Sequence, residues 1–92
     1  MWTVYILRCS DGSFYVGLTN DLKQRIRDYQ SGDGAQYTLA RLPVSLEYSE
    51  RFKSKKEAEN REHQLKRWSR AKKGALIKSD MAKLRQLSRN KS

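Results

Sequence analysis

Val4-Tyr5-Ile6-Leu7-Arg8-Cys9-Ser10-Asp11-Gly12-Ser13-Phe14-Tyr15-Val16-Gly17-Leu18 is the segment from which the rest of this chain can be worked out. Two short apolar runs, Val4-Tyr5-Ile6 and Tyr15-Val16-Gly17, flank a polar turn, the pattern of a β-hairpin. A two-residue Asp11-Gly12 turn would pair Ser10 with Ser13 and mix apolar and polar side chains on both faces. A three-residue loop, Ser10-Asp11-Gly12 with Gly12 left-handed, pairs Cys9 with Ser13 instead. One face then reads Val4, Ile6, Phe14, Val16, Leu18 and the other Tyr5, Leu7, Cys9, Ser13, Tyr15, Gly17. Side-chain parity favours the second register, which also sets Tyr5 and Tyr15 on one face.

Beyond the hairpin, Thr19-Asn20-Asp21 supplies a helix cap and a first-turn carboxylate. Leu22, Ile26 and Tyr29 share a stripe on that helix, with Arg25 on its flank, and Ser31-Gly32-Asp33-Gly34 ends it. Residues 35–43 read as an irregular connection closing at Pro43. Val44, Leu46, Tyr48 and Phe52 then alternate with Ser45, Glu47, Ser49 and Arg51, predicting a third strand with one buried side. Ser54-Lys55-Lys56-Glu57 is a capping box opening a long helix over about residues 55–68. At about 100° per residue from Ala58, Leu65 falls near −20° and Glu62 near +40°. Glu62 therefore belongs to the inward stripe, where a carboxylate is costly unless paired or bound to a metal. A helix around 70–78 and another from Ser79-Asp80, with Met81, Leu84 and Leu87 inward, complete one domain over 1–87, followed by a basic tail, 88–92.

The 92 residues suffice for one small core, and an apolar fraction of 37% with clear periodicity argues for a folded chain. No apolar run reaches the roughly 20 residues of a membrane span, and the start lacks a signal peptide's basic region, so a cytoplasmic location is expected. The single cysteine, Cys9, excludes an internal disulfide, and one Cys with one His cannot complete a zinc shell. Charge is unevenly spread: residues 1–46 hold five Lys/Arg against four Asp/Glu, whereas 47–92 hold fifteen against six. A basic half of this kind attracts polyanions, nucleic acid foremost.

Thr3-Val4-Tyr5, Tyr15-Val16-Gly17, Arg25 and Glu62 within Ala58-x-x-x-Glu62, in that order and spacing, resemble the GIY-YIG nuclease domain. The likeness is closest to the small stand-alone, YhbQ-like bacterial proteins of that superfamily, grouped as an uncharacterised family. It extends through Gly34-Ala35-Gln36-Tyr37-Thr38, Pro43-Val44-x-Leu46-x-Tyr48-Ser49-Glu50 and Leu65-Lys66-Arg67-x-Ser69-Arg70. The resemblance implies an α/β fold of the α+β type: a three-stranded antiparallel sheet flanked by helices. It implies a divalent metal, Mg²⁺ or Mn²⁺, held by Glu62, and hydrolysis of DNA phosphodiesters. Tyr5, Tyr15, Arg25, Tyr29 and Glu62 become the candidate catalytic residues. Gly17, Arg25, Tyr37, Lys66, Arg67 and Arg70 become the candidate nucleic-acid contacts.

These residue types suit that chemistry. A phosphodiester resists water because its charge repels the nucleophile, so a site needs a cation, a base and positive clamps. Arg25 can fork onto phosphate oxygens, and Tyr5 can take or orient the proton of the attacking water. Tyr15 can hydrogen-bond the phosphate or that water. The departures are Thr3 in place of Gly, Val4 and Val16 in place of Ile, and Tyr29 where many superfamily members carry histidine, a better base near neutral pH. The asparagine that follows the acidic helix in the repair nucleases has no match here.

Blander readings stand beside these. Arg25 can be a snorkelling flank residue, Glu62 can pair with Arg61 or Arg25, and Tyr29 and Tyr37 can be core. His63 should face water, Cys9 should be a small half-buried apolar residue, and Trp2 and Trp68 should pack at the core edge, with base stacking the alternative for Trp68. The expected function is a metal-dependent, structure-directed endonuclease of low sequence specificity in DNA repair or processing. DNA is favoured over RNA, a monomer is favoured, and no membrane is involved. A non-catalytic nucleic-acid-binding module is the alternative, and a domain meeting an acidic protein partner is the third reading.

Overall fold

The computed structural model describes residues 1–79 and 81–89, without the side chains of Met81, Leu87, Ser88 and Arg89. The elements run β1 (Trp2–Arg8), β2 (Phe14–Thr19), α1 (Leu22–Gln30), α2 (Gln36–Leu39), β3 (Ser45–Phe52), α3 (Lys55–Lys66), α4 (Arg70–Ile77) and α5 (Met81–Arg89). The antiparallel sheet has the order β2-β1-β3, the expected three strands with helices around them. No helix among the described residues is long and apolar enough to cross a membrane.

The hairpin takes the register that parity favoured. Tyr5 opposes Gly17 and Ile6 opposes Val16, the Cys9 N–H donates to the Ser13 carbonyl at 2.9 Å, and Gly12 is left-handed with φ +83°. Central β1 is covered on both sides. Val4, Ile6 and Val16 pack with Ala58 and Leu65 of α3, Ala75 and Leu76 of α4 and Leu84 of α5. On the other face Tyr5 and Leu7 pack with Tyr29, flanked by Leu22 and Ile26 of α1 and by Val44. Cys9 is buried, His63 is exposed, and Trp2 and Trp68 pack against the first cluster.

Three expectations are corrected. β3 does not have a single buried side: its pairing with β1 slips by one residue between Ile6 and Leu7, which face Tyr48 and Leu46. A bulge of this kind reverses side-chain parity. Tyr48 and Phe52 therefore join the α3 face and Val44 joins the tyrosine face, while Leu46 remains 43% exposed. The connection 35–43 is not wholly irregular, because α2 forms one helical turn and buries Thr38, whose hydroxyl donates to the Ala35 carbonyl. α3 stops at Lys66, since Ser69 must be extended (ψ 163°) to cap α4 by accepting from the Lys72 N–H.

The other caps follow the sequence. The Asp21 side chain accepts from the Gln24 N–H, and Ser54 accepts from the Glu57 N–H. α5 carries Leu84 inward and extends through Arg89, past the expected start of the tail at Ser88. The inward placement of Met81 and Leu87, the Asp80 half of the helix start, and the remainder of the tail lie outside what is described.

Candidate active site

Four elements and a loop meet at one edge of the sheet around a cavity of about 270 Å³. β1 contributes Tyr5, and β2 contributes Tyr15, Gly17 and Leu18. α1 contributes Arg25 and Tyr29, four residues apart and hence on one face of the helix, and α3 contributes Glu62. All five candidate catalytic residues thus line one space. Asp33, Gly34 and Ala35 line it as well, and the sequence reading did not place them there.

The two buried tyrosines are built over glycines. A Cβ on Gly17 would lie 2.2 Å from the Tyr5 hydroxyl, and a Cβ on Gly34 would lie 2.2 Å from Cδ1 of Tyr29. Each ring therefore fills the volume that any other residue would need opposite it. The signal for Gly34 was present in Gly32-Asp33-Gly34. Gly32, with φ +86°, serves the backbone turn after α1, whereas Gly34 has no positive φ and is left to serve space.

Tyr5 and Tyr29 are each 2% exposed, and their hydroxyl oxygens are 2.7 Å apart. Their rings meet edge to face at 6.1 Å, and Tyr15 meets Tyr29 the same way at 6.2 Å. Burial holds the Tyr5 hydroxyl above the usual tyrosine range, while the bond to Tyr29 and the nearby Arg25 charge pull the other way. Tyr29 is pushed much further up, first by burial and then by the bond to Tyr5. Either hydroxyl can be the donor in this bond. Arg25 is near enough for its charge to favour a Tyr5 anion, against the larger cost of burial.

Glu62 is 14% exposed at its side chain and pairs with Lys66, one turn on, at 3.4 Å. Neither Arg61 nor Arg25 is its ion-pair partner. Arg61 instead forks onto Glu50, with Nε and Nη2 at 2.9–3.2 Å from the carboxylate, on the far side of the sheet. Among the described residues no cluster of three or more His, Cys, Asp or Glu could cage a metal. One carboxylate beside open space suits a hard cation that keeps most of its waters and takes further oxygens from a substrate phosphate.

The remaining candidates lie around this centre. The Tyr37 ring stacks on Tyr15 at 5.8 Å and 26° and is 40% exposed. Lys66 is engaged by Glu62, and Arg67 is the exposed residue that ends α3. Arg70 donates twice to the Gly12 carbonyl, at 2.7 and 3.2 Å, and lies 5.2 Å from the Phe14 ring, bracing the hairpin loop. Trp68 is half-buried under Lys72 and Arg61, at 4.4 and 5.2 Å from its ring.

A tyrosine pair, an arginine and a carboxylate around one cavity, on a β-hairpin followed by a helix, define a recognisable class. A profile of the GIY-YIG catalytic domain matches residues 1–75, and the chain belongs to that family. Within it, the chain is similar to the UPF0213 proteins. It is 49% identical over 77 residues to a UPF0213 protein of Halobacterium salinarum, covering 84% of this chain and 100% of the relative. A Bacillus pumilus UPF0213 protein is 51% identical over 73 residues, covering 79% and 74%. The solution structure of a UPF0213 protein from Bacillus halodurans superposes with a TM-score of 0.56 at 46% identity, over 85% of this chain and 84% of that one. A solution structure from E. faecalis gives 0.59 at 34% identity, over 87% and 85%.

Proposed function

We propose that this protein is a metal-dependent endonuclease that hydrolyses DNA phosphodiester bonds. We assign it low sequence specificity and a role in processing or repairing cytoplasmic DNA. The observation that carries this reading is the convergence of Tyr5, Tyr15, Arg25, Tyr29 and Glu62 on one cavity in a chain of the GIY-YIG family. A tyrosine pair alone would be packing. Beside an arginine and a mostly buried carboxylate whose ion-pair partner among the described residues is a half-exposed lysine, it is a set of groups with protons to move and charge to hold.

In this reading Arg25 grips non-bridging phosphate oxygens, which its planar fork fits and a lysine would not. Tyr5, having passed its own proton to solvent in the cavity, orients the attacking water and takes up the proton that the water gives up. Tyr29 steadies the developing Tyr5 anion through the 2.7 Å bond, the role in which a donor held neutral is most useful. Tyr15 closes the wall and offers its hydroxyl to the phosphate. Glu62 would hold Mg²⁺ or Mn²⁺, which would supply positive charge for the leaving oxygen and lower the pKa of nearby water. Lys66, the ion-pair partner of Glu62 at 3.4 Å, would be the nearest cation to turn to the phosphate backbone if Glu62 held the metal. Gly17 contributes by admitting the Tyr5 ring, and Arg67 adds charge at the rim.

The test is incubation of labelled single-stranded, nicked, flapped and branched DNA with Mg²⁺ or Mn²⁺, beside Tyr5→Phe, Arg25→Ala and Glu62→Ala. Metal-dependent cutting lost in all three folded variants is the expected result. A parent that binds these DNAs without cutting any of them, and binds equally well as Glu62→Ala without Mg²⁺, would be a nucleic-acid-binding module.

A further inference from the structure

The wall of the cavity continues outwards as a row of flat groups that the proposed chemistry does not use. Tyr15 lines the cavity, Tyr37 stacks on Tyr15, and the guanidinium carbon of Arg41 lies 3.9 Å from the centre of the Tyr37 ring. Exposed side chains are seldom held so firmly. Nε of Arg41 donates to Asp11 at 3.0 Å and Nη1 donates to the Tyr37 carbonyl at 2.8 Å. The Tyr37 hydroxyl donates to Oγ of Ser13 at 2.9 Å, and Ser13 in turn donates its N–H and hydroxyl to Asp11. These bonds fix the planes of ring and guanidinium while Tyr37 stays 40% exposed and the Arg41 side chain 34% exposed.

A brace between the hairpin loop and α2 would account for the bonds, but that loop is already held by the Cys9–Ser13 ladder and by Arg70 on the Gly12 carbonyl. Nor does a brace require two planar groups face to face at the surface. Planar aromatic and guanidinium surfaces held in advance at a nucleic-acid site are what a nucleobase stacks on, at about 1–3 kcal/mol per base. A base inside a duplex has both faces covered by its neighbours and shows only its edges, so it cannot use such a plate.

We propose that the Tyr37–Arg41 pair forms a base-stacking subsite, the base lying on the outer face of the Arg41 guanidinium, which the Tyr37 ring backs and holds flat. It would receive an unpaired base adjoining the phosphate seated against Tyr15, Arg25 and Glu62. The proposal rests on the nuclease reading and deepens it. The preferred substrate is nucleic acid whose nucleotide beside the cut is unpaired, as in a flap, a gap or a single strand. Arg41 becomes a specificity residue, with Asp11 and Ser13 positioning the plate.

The experiment reads binding, so it does not depend on cutting. Fluorescence anisotropy in EDTA follows a labelled single-stranded oligonucleotide and a series carrying one abasic position at each site in turn. The parent should lose about 5- to 150-fold in affinity at one abasic position, the equivalent of one stacked base. Tyr37→Leu should bind the intact strand weaker by the same factor and show no further loss at that position. Tyr37→Phe, which keeps the ring but not the bond to Ser13, should behave like the parent, whereas a mere brace predicts that it fails as Leu does. A parent indifferent to every abasic position, or Phe and Leu variants equally impaired, overturns the proposal. If the abasic effect and its loss in Tyr37→Leu are both seen but no substrate is cut with Mg²⁺, the subsite stands and the nuclease reading fails.

Discussion

Gly17→Ala puts one methyl where the site has no room for it. The new carbon would lie 2.2 Å from the Tyr5 hydroxyl oxygen, 2.3 Å from Cζ and 2.7 Å from Cε1. Non-bonded carbons settle at about 3.5–4.0 Å, so the far end of the ring must retreat by roughly 1 Å or more. Tyr5 is 2% exposed and Tyr29 blocks its way at 6.1 Å, so the retreat distorts the tyrosine pair and loosens its hydroxyl bond. Overpacking of a buried site costs about 1–3 kcal/mol and a weakened buried hydrogen bond about 1 kcal/mol more. The melting temperature should fall by at least about 8 °C, since each kcal/mol is worth about 4–8 °C in a domain of this size. Cutting should fall about 100-fold, the usual effect of displacing a reacting group by about 1 Å.

The assay is urea unfolding followed by far-ultraviolet circular dichroism on the parent, Gly17→Ala, Tyr5→Ala and the double variant. With the ring gone the methyl has space, so Gly17→Ala in the Tyr5→Ala background should cost under about 0.5 kcal/mol. Costs that add to within about 0.5 kcal/mol, or a single variant as stable as the parent, would refute the claim that the glycine exists to admit the ring.

Tyr29→Phe should shift the pH–rate profile of cutting to higher pH, because the Tyr5 anion loses its donor; an unshifted profile would remove Tyr29 from the mechanism. Glu50→Ala should cost about 2 kcal/mol in urea unfolding, since it strands Arg61 and the Tyr48 hydroxyl partly buried, while cutting stays near the parent rate. Stability should decline at both ends of the pH range in a denaturation series. Tyr5, Tyr29 and Tyr48 (the last pushed up to about 12) keep protons in the folded chain that the unfolded chain releases near pH 10, so stability falls as the pH rises above that value. Glu50, held below the usual carboxylate range by Arg61 and Tyr48 against the cost of burial, contributes stability above about pH 4.5 that is lost as the pH falls. A profile flat from pH 9 to 12 would mean that the buried tyrosines are not held neutral.

The hairpin was legible because only one register separates apolar from polar residues, and the same parity brought Tyr5 and Tyr15 together. Glu62 could be turned towards the interior from helical geometry alone. The bulge in β3 was not legible: Val44, Leu46, Tyr48 and Phe52 keep one parity, broken only by the charged Glu50, and only the pairing with Leu7 reveals the slip. Asp33 and Ala35 escaped notice because a loop has no period, and its path is set by how the Tyr29 ring settles over Gly34. Arg41 escaped for a related reason. Its partners Asp11 and Tyr37 lie 30 and 4 residues away, and nothing local marks a stacked guanidinium.

The sheet that separates the two cores also separates the chromophores. Trp2 and Trp68, the only two tryptophans, both pack on the α3 side of the sheet, under Lys55 and under Lys72 with Arg61. Tyr5, Tyr15 and Tyr29 lie on the opposite side. Indole emission excited near 295 nm, beyond tyrosine absorption, therefore observes the half of the molecule that maintains the fold and is nearly blind to the half proposed to perform chemistry. A cavity substitution that abolishes activity but leaves this emission unchanged has disarmed the protein without unfolding the α3 side, and no added label is needed to tell the two apart.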